Sequence, residues 1–359
     1  MSVLSQVFAA GAPSIPGAGV ALCVWQQGAE VFHATAGEAD TGVPWTPDTL
    51  TPIFSATKAL SAACLLLALD ERGLTPELEV GELWPSFPAP RCTVAHVLSH
   101  QVGLAAWAQT APLDDPAACR AAIERTTPAW APPQHGYHPH TFGPLVELLM
   151  LALTGQRIGA YWETRVRRPL GLQAYIGLPE SELPRVARLR LPRVQGALPS
   201  TEFYRLYFDP RSPVYRAFHC VSGISSVREM NTLRGLQCAC PARGGVATAR
   251  GLCMAYQALL GQLPGSPFTP HIQEWLSTPR SAGPDLTLRC RTSFTCGAMC
   301  EPAALFGGGF GHPGFGGFHA FAEPSTGLSF AYTLNHLHPG PLPGAEVQAL
   351  TAAALRGGV

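Results

Sequence analysis

The chain has 359 residues, of which 47% are hydrophobic and 13% are charged, so it is long and apolar enough to bury a large core. This composition excludes an intrinsically disordered chain, because apolar residues are plentiful and no long polar tract occurs. The 24 basic and 24 acidic side chains balance, which argues against nucleic acid or a membrane surface as a partner.

The N-terminal part of the sequence predicts an antiparallel hairpin followed by a buried helix. Residues 20–25 and 31–36 are short runs rich in strand formers, and turn residues at 26–28 separate them. Residues 56–69 are rich in alanine and leucine, which are the strongest helix formers. Because this segment is apolar nearly all round, we expect a central helix that is buried on every side.

The middle of the sequence predicts helices separated by proline-rich loops. Their predicted bounds are 93–99, 143–154, 158–168 and 249–260. Gly103 is expected to close the first of these helices, Pro169 and Gly171 to stop the third, and Thr248 to cap the fourth.

The C-terminal part of the sequence returns to strand signals. Residues 286–296 alternate loosely between apolar and polar, and two apolar runs at 318–322 and 328–334 flank a turn at 323–327. Residues 346–355 predict a closing helix.

Strands at both ends with helices between them predict an α/β fold. We expect an antiparallel sheet built from both termini with flanking helices, and a mainly helical lobe inserted into it. The whole chain, 1–359, is predicted to form one domain. Its two expected sub-lobes are residues 1–70 with 284–359, and residues 71–283.

A Ser-x-x-Lys motif, Ser55 to Lys58, lies at the start of the predicted central helix. Residues three apart share one face of a helix, so the amine can reach the hydroxyl. A serine hydroxyl is a weak nucleophile until a base takes its proton, and burial at the start of a helix favours the neutral lysine that this requires. Lys58 is also the only lysine among the 24 basic side chains, at a position where arginine cannot act as a base.

Two further segments contain candidate site residues. Tyr137 lies on a loop rich in proline and histidine just before an apolar helix, where it can act as a phenolate or relay a proton. Without the Ser-x-x-Lys motif, a half-buried tyrosine whose hydroxyl bonds to the backbone would be the preferred interpretation. The glycine-rich segment 307–317 contains His312 and Gly314, and its glycines let the backbone approach a ligand. The alternative for this segment is a mobile turn.

In this order, the three elements resemble the superfamily of class C β-lactamases, penicillin-binding proteins and family VIII carboxylesterases, and most closely its esterase-like members with a β-lactamase domain. Ser55-Ala-Thr-Lys58 matches the first motif of the family, Tyr137 its Tyr-x-Asn tyrosine, and His312-Pro-Gly314 the His-x-Gly form of its Lys-Thr-Gly element. The stretches 98–104, 168–172 and 244–250 support the match, which covers about residues 15–340.

The chain departs from the β-lactamase pattern at two positions. Pro139 stands where the family has the asparagine of Tyr-x-Asn, so no side-chain amide is available to hold a lactam carbonyl. His312 replaces a lysine, which we expect to give a weaker and pH-dependent cation. Both departures favour esters over β-lactams.

The resemblance and the residues together predict a serine hydrolase that acts on small carboxylic esters through an acyl-serine intermediate. Ser55 is the expected nucleophile, and Lys58 and Tyr137 share the proton transfers. His312 is the fourth predicted catalytic residue; it is expected to line the pocket and to polarise the acyl group or Tyr137. The substrate is expected to contact Gly314, Phe315 and His138, and the backbone N–H groups of Ser55 and Phe315 to hold the oxyanion.

The alternatives are a β-lactamase, a D-amino-acid peptidase or a transesterase of the same fold, or a non-catalytic relative that keeps the fold as a scaffold or binding module. No metal or other cofactor is expected, because the 11 cysteines and the His96–His100 pair lack the spacing and partners of a zinc site. Residues 1–19 lack a secretory signal, so we expect a cytoplasmic protein with free cysteines and a small-molecule ester or amide as its substrate. The oligomeric state stays open.

Overall fold

A nine-stranded antiparallel sheet brings the two ends of the chain together. The computed structural model describes residues 2–191, 201–340 and 342–357. In chain order the described strands are β1 (Gly19–Gln26), β2 (Ala29–Asp40), β3 (Val43–Pro44), β4 (Thr51–Pro52), β5 (Ala111–Pro112), β6 (Ala174–Ile176), β7 (Val221–Ser222), β8 (Gly245–Ala247), β9 (Ser281–Pro284), β10 (Arg291–Phe294), β11 (Met299–Glu301), β12 (Phe310–Pro313), β13 (His319–Glu323) and β14 (Leu328–Leu334).

The large sheet has the strand order β3-β2-β1-β14-β13-β12-β11-β10-β9. Strand β1 pairs with β14 from Val20–Leu334 to Gln26–Leu328, and this pairing joins the N-terminal hairpin to the C-terminal strands. Two small sheets, β4-β8-β6 and β5-β7, lie in the part of the chain between β3 and β9. The predicted fold class is therefore confirmed, whereas the division into sub-lobes at residues 70 and 284 stays a prediction.

Most of the described α-helices lie between β3 and β9 in the chain. The described α-helices are α1 (Val3–Ala10), α2 (Thr57–Asp70), α3 (Val80–Leu83), α4 (Val94–Leu98), α5 (Pro116–Glu124), α6 (Phe142–Thr154), α7 (Ile158–Trp162), α8 (Arg168–Leu170), α9 (Glu202–Tyr207), α10 (Pro213–His219), α11 (Val227–Met230), α12 (Leu233–Gln237), α13 (Ala249–Leu259), α14 (Pro270–Ser277), α15 (Ala303–Phe306) and α16 (Ala345–Leu355).

The central helix α2 is buried over its whole length up to Leu69, as its apolar sequence predicts. It packs against α6, α7 and α14, and it also contacts strand β12 of the large sheet. Helix α13 packs on β1, β13 and β14, and the Thr248 side chain caps it by accepting a hydrogen bond from the Gly251 N–H. Helix α2 therefore connects the sheet with the helical part of the fold.

The structure differs from the sequence-based prediction at the end of one helix and in the length of one strand. A π-helical turn, Glu163–Arg167, joins α7 to α8, and the helical run includes Pro169 and ends at Gly171, which adopts a left-handed conformation. Proline has no N–H to donate, and the wider turn before it accommodates that loss. The predicted strand at 286–296 is reduced to β10, because the Asp285 carboxylate binds the N–H groups of Thr287 and Leu288 and forms a turn there.

The eleven cysteines are all unpaired, and seven of them are buried. In the described part of the chain, no helix combines the length and the hydropathy that crossing a bilayer requires.

Candidate active site

Ser55 lies on a short 3₁₀ turn, Phe54–Ala56, that runs directly into α2. The residue before it, Phe54, has φ +47°, a left-handed conformation that costs a non-glycine residue about 1–3 kcal/mol. Two contacts hold this turn: the Thr57 hydroxyl donates to the Phe54 carbonyl over 2.5 Å and accepts the Gly245 N–H over 2.9 Å. Strain of this kind is typical of residues that a fold holds in place for function.

Lys58 is fully buried one turn further along, and its Nζ lies 3.0 Å from Ser55 Oγ. The same nitrogen lies 2.9 Å from the Pro139 carbonyl oxygen and 3.1 Å from the Ala242 carbonyl oxygen. Burial holds the pKa of Lys58 well below its usual value, and the positive charge of Arg243 lowers it further, while Cys240 acts in the opposite direction. A neutral amine has two N–H groups and one lone pair. Because the two carbonyls accept the N–H groups, the lone pair is left to face Ser55.

Tyr137 contacts the same serine oxygen, since its hydroxyl donates to Ser55 Oγ over 2.8 Å. Burial raises the pKa of Tyr137, and the hydrogen bond with Ser55 only partly opposes this effect. The phenol is therefore protonated at rest, which favours a proton relay over a resting phenolate. The buried Asp285 carboxylate positions the residue by accepting the Tyr137 backbone N–H at 3.1 and 3.2 Å.

His312 lies on β12, beside Tyr137, with the two ring centroids 5.7 Å apart. Its Nδ1 is 2.7 Å from the Pro313 carbonyl oxygen, which can only accept, so Nδ1 carries the proton and Nε2 is free to accept. Within the described residues, the buried Nε2 has no hydrogen-bond partner. Burial, with a smaller effect of the Lys58 charge, lowers the pKa of His312 to about 3. The expected pH-dependent cation is therefore wrong: this imidazole is neutral at physiological pH.

A pH profile tests the neutral state of His312. We expect kcat/KM for an ester to fall on the acidic side because Lys58 must be uncharged, and we expect His312→Asn to leave the position of this limb unchanged. The rates are measured by pH-stat titration from about pH 4.5 to about pH 9, where His312 is already neutral in the wild type. A limb near the ordinary histidine pKa that disappears in His312→Asn would contradict the assignment.

Gly314 allows two backbone segments of the site to pack closely. Its N–H donates to the Phe318 carbonyl over 2.8 Å, so it is not available to an oxyanion. A Cβ at this position would lie 2.4 Å from the Ile53 carbonyl oxygen, and glycine therefore allows β12 to approach the turn that holds Ser55. The Gly314 N–H is therefore occupied in this packing, and a contact of Gly314 with the substrate stays a prediction.

Phe315 lies at the mouth of the site, and its ring contacts Phe54 with centroids 5.7 Å apart. Among the described residues, its N–H and that of Ser55 make no hydrogen bond with another part of the chain. Both amides are therefore free for the predicted oxyanion contact, which stays a prediction.

His138 does not line the pocket, and its expected contact with the substrate is wrong. The side chain is fully buried, and both ring nitrogens are occupied by the backbone. Nδ1 is 2.7 Å from the Gly136 carbonyl oxygen, and Nε2 accepts the Leu104 N–H over 3.1 Å. The adjacent His100 accepts the His138 N–H over 3.2 Å, so these histidines fix the loop that carries Tyr137.

A cavity of about 400 Å³ opens over Ser55. Its lining is largely aromatic and aliphatic, with a few polar groups: Phe54, Ser55, Tyr137, Pro139, His140, Tyr207, Phe218, His219, Val221, Ser225, Ser226, Val227, Arg243, Leu288, Met299, His312, Pro313, Phe315 and Leu342. Arg243 and Asp285 are site residues that the sequence did not predict. Arg243 directly precedes the stretch 244–250 that supports the family match, but no sequence pattern indicates that its side chain turns inward.

One group of possible metal ligands lies among the described residues, on the hairpin of β1 and β2. The ligand atoms of Cys23, Glu30 and His33 lie within 4.8 Å of one another. Glu30 is already engaged by Arg250, whose guanidinium donates to both of its oxygens at 2.5 and 2.9 Å. None of these residues lines the cavity over Ser55.

Comparisons with known proteins identify the family and the fold of the chain. The family model described as Beta-lactamase matches residues 9–354. The chain is 30% identical over 347 residues to "Esterase/beta-lactamase LipL" of Mycobacterium tuberculosis, and this match covers 92% of the chain and 80% of LipL.

Two solved structures are similar over nearly their whole length. A penicillin-binding protein homologue from Caulobacter crescentus has a TM-score of 0.86 at 30% identity, covering 99% of this chain and 96% of that one. A family VIII carboxylesterase has a TM-score of 0.85 at 25% identity, covering 98% of this chain and 96% of that one.

Proposed function

The chain belongs to the beta-lactamase family of serine hydrolases, and we propose that within this family it is a carboxylesterase that acts on small esters through an acyl intermediate on Ser55. The observation that carries the proposal is the convergence on Ser55 Oγ. Lys58 Nζ lies 3.0 Å and the Tyr137 hydroxyl 2.8 Å from that one oxygen.

The first half of the proposed reaction acylates Ser55. Lys58 takes the hydroxyl proton, and Oγ attacks the ester carbonyl, whose oxygen becomes negative and accepts the N–H groups of Ser55 and Phe315. The tetrahedral intermediate then expels the alcohol. Tyr137 gives its proton to the leaving oxygen and receives the proton that Lys58 had taken, so the charges balance at the end of the step.

The second half returns the enzyme to its starting state. A water molecule attacks the acyl-Ser55 carbonyl while Tyr137 and Lys58 take up its proton, and the same two amides hold the new oxyanion. Collapse of this intermediate releases the acid, and the proton returns to Ser55 Oγ. An alcohol in place of water would give the transesterification that the sequence leaves open as an alternative.

Two features favour esters over β-lactams. At the position of the Tyr-x-Asn asparagine, Pro139 offers only its backbone carbonyl, and that carbonyl already accepts a hydrogen bond from Lys58. At the position of the Lys-Thr-Gly lysine, His312 is neutral and offers an acceptor rather than a positive charge. A β-lactam bound here would leave its lactam carbonyl and its carboxylate without these partners, and burying unpaired polar groups costs free energy.

The proposal is tested by covalent labelling and by a comparison of two substrates. Wild type and the variants Ser55→Ala and Ser225→Ala are treated with a fluorophosphonate, and their intact masses are measured by mass spectrometry. Ser225 is the matched control because it also lines the cavity. We expect one label on wild type and Ser225→Ala and none on Ser55→Ala. We also expect kcat/KM for p-nitrophenyl butyrate to exceed that for nitrocefin by at least about 100-fold.

The outcomes separate the alternatives. If kcat/KM for nitrocefin were comparable to that for p-nitrophenyl butyrate, the protein would be a β-lactamase and the esterase proposal would be wrong. Absence of both label and turnover in wild type would favour the non-catalytic scaffold.

A further inference from the structure

Arg243 is a buried cation that faces the cavity without an acidic partner. Its side chain is 6% exposed, and its Nη1 donates to His140 Nδ1 over 3.2 Å and to the Ser225 carbonyl over 3.0 Å. Its Nε is buried and has no hydrogen-bond partner among the described residues. None of the ion pairs in that part of the chain includes Arg243.

An unpaired buried charge is costly, and arginine cannot avoid the cost by losing its proton. Burial lowers the pKa of Arg243, but the guanidinium stays charged in a protein. Glu229 lies beyond ion-pair distance, and its carboxylate is already bound by Ser225 and Ser226. The remaining N–H groups of the guanidinium therefore match an anion that none of the described residues supplies. A carboxylate fits the planar fork best, because it can accept two parallel hydrogen bonds.

The rest of the cavity strengthens this preference. No aspartate or glutamate occurs among its described lining residues. His140 accepts a hydrogen bond from Arg243, and burial, followed by the charge of Arg243, holds the pKa of His140 well below its usual value, so this imidazole adds no charge. The surrounding walls include Phe54, Phe218 and Met299, and the Arg243 guanidinium lies 5.8 Å from the Phe54 ring centre. A fixed charge acts more strongly in such an apolar setting than in water.

We propose that Arg243 binds a carboxylate of the substrate. The preferred substrates are then esters that also contain a free carboxylate, either on the acyl side, as in monoesters of dicarboxylic acids, or on the alcohol side, as in esters formed at the hydroxyl of a hydroxy acid. This inference rests on the proposed esterase function and names its substrate class. The same charge disfavours an ester or amide with a free ammonium group near this wall of the cavity.

Matched ester pairs test the inference through kcat/KM. The first pair compares monoethyl succinate, which has its negative charge on the acyl side, with ethyl isohexanoate, which has a similar shape and no charge. The second pair compares the acetate ester of β-hydroxypropanoate, which has its negative charge on the alcohol side, with uncharged isoamyl acetate. We expect the wild type to prefer the anionic member of at least one pair, and Arg243→Gln to reduce that preference by about 10- to 100-fold, the usual effect of a lost hydrogen bond to a charged group.

Two control variants accompany Arg243→Gln. Arg228→Gln removes an exposed arginine next to the cavity and is expected to keep the wild-type preference. Arg243→Lys keeps the charge without the planar fork and is expected to give an intermediate preference. Arg243 also lowers the pKa of Lys58. If this were its whole role, Arg243→Gln would shift the pH profile of both esters in a pair equally, and the ratio of their kcat/KM values would stay constant. A constant ratio overturns the inference.

A binding measurement decides the inference even without turnover. Isothermal titration of the Ser55→Ala variant with the two anionic esters is expected to show binding of at least one, weakened about tenfold or more in Ser55→Ala/Arg243→Gln. Binding that depends on Arg243 in a protein that hydrolyses no ester would refute the proposed function and keep the carboxylate site. Ester hydrolysis with no dependence on Arg243 in either measurement would refute the carboxylate site alone.

Discussion

Replacing Lys58 with arginine is expected to lower kcat/KM for a small ester by about 10³- to 10⁴-fold, near the upper end of what general acid–base catalysis contributes. The amine acts only when neutral, and its burial together with two backbone carbonyl acceptors leaves its lone pair directed at Ser55 Oγ. A guanidinium has no lone pair to accept a proton and stays charged in this setting. The Lys58→Arg variant would therefore replace a neutral base with a permanent positive charge that cannot accept a proton.

The measurement is steady-state turnover of p-nitrophenyl butyrate, with the rate of fluorophosphonate labelling as a second readout of Ser55 nucleophilicity. Arginine is larger than lysine, and position 58 is fully buried, so thermal unfolding is followed in parallel. Lys58→Met is the companion variant, because it has a similar size and no charge and also lacks a base. Either variant with activity within about tenfold of wild type would contradict the assignment of Lys58 as the base.

The nucleophile and its base could be predicted from the sequence because their geometry is local. Ser55 and Lys58 are three residues apart, and the helical spacing alone places the amine next to the hydroxyl. The remaining contacts of Lys58 are not local. The Pro139 and Ala242 carbonyls come from segments 81 and 184 residues away, and the sequence shows only that Pro139 lacks an amide, not that its carbonyl replaces one.

The site residues that the sequence placed wrongly or did not predict also depend on contacts between distant segments. The glycine-rich composition of residues 307–317 fits either a ligand-binding backbone or a turn, whereas Gly311 lies in strand β12 and pairs with Phe321. A Cβ at Gly311 would lie 2.2 Å from the Ala320 carbonyl oxygen, so this close pairing requires glycine. His138 is adjacent to Tyr137 in the chain, but its ring points into the protein and binds the backbone. The position of Arg243 depends on tertiary packing, which leaves its guanidinium without a carboxylate partner among the described residues. Side-chain direction and pairing across the fold cannot be read from residue type and spacing.

Replacing Tyr137 with phenylalanine is expected to lower kcat by about 10²- to 10³-fold, because it removes the group that passes protons between Lys58, the leaving alcohol and the attacking water. The substitution deletes only the hydroxyl, which donates to Ser55 Oγ over 2.8 Å. The backbone of residue 137 stays bound to Asp285, so the loop keeps its position. Because Lys58 can still take the Ser55 proton, we expect the covalent step to survive in part and release of the alcohol and of the acid to slow most.

Pre-steady-state kinetics with two leaving groups separate these steps. A p-nitrophenolate leaves without needing a proton, whereas an ethanol leaving group needs one, so Tyr137→Phe should slow ethyl butyrate much more than the initial burst from p-nitrophenyl butyrate. Tyr175→Phe is the matched control, because Tyr175 is also buried and its hydroxyl binds the Gln173 side chain outside the cavity. An equal loss with both leaving groups would show that the hydroxyl positions Ser55 and does not relay the proton, since positioning affects attack on either ester alike.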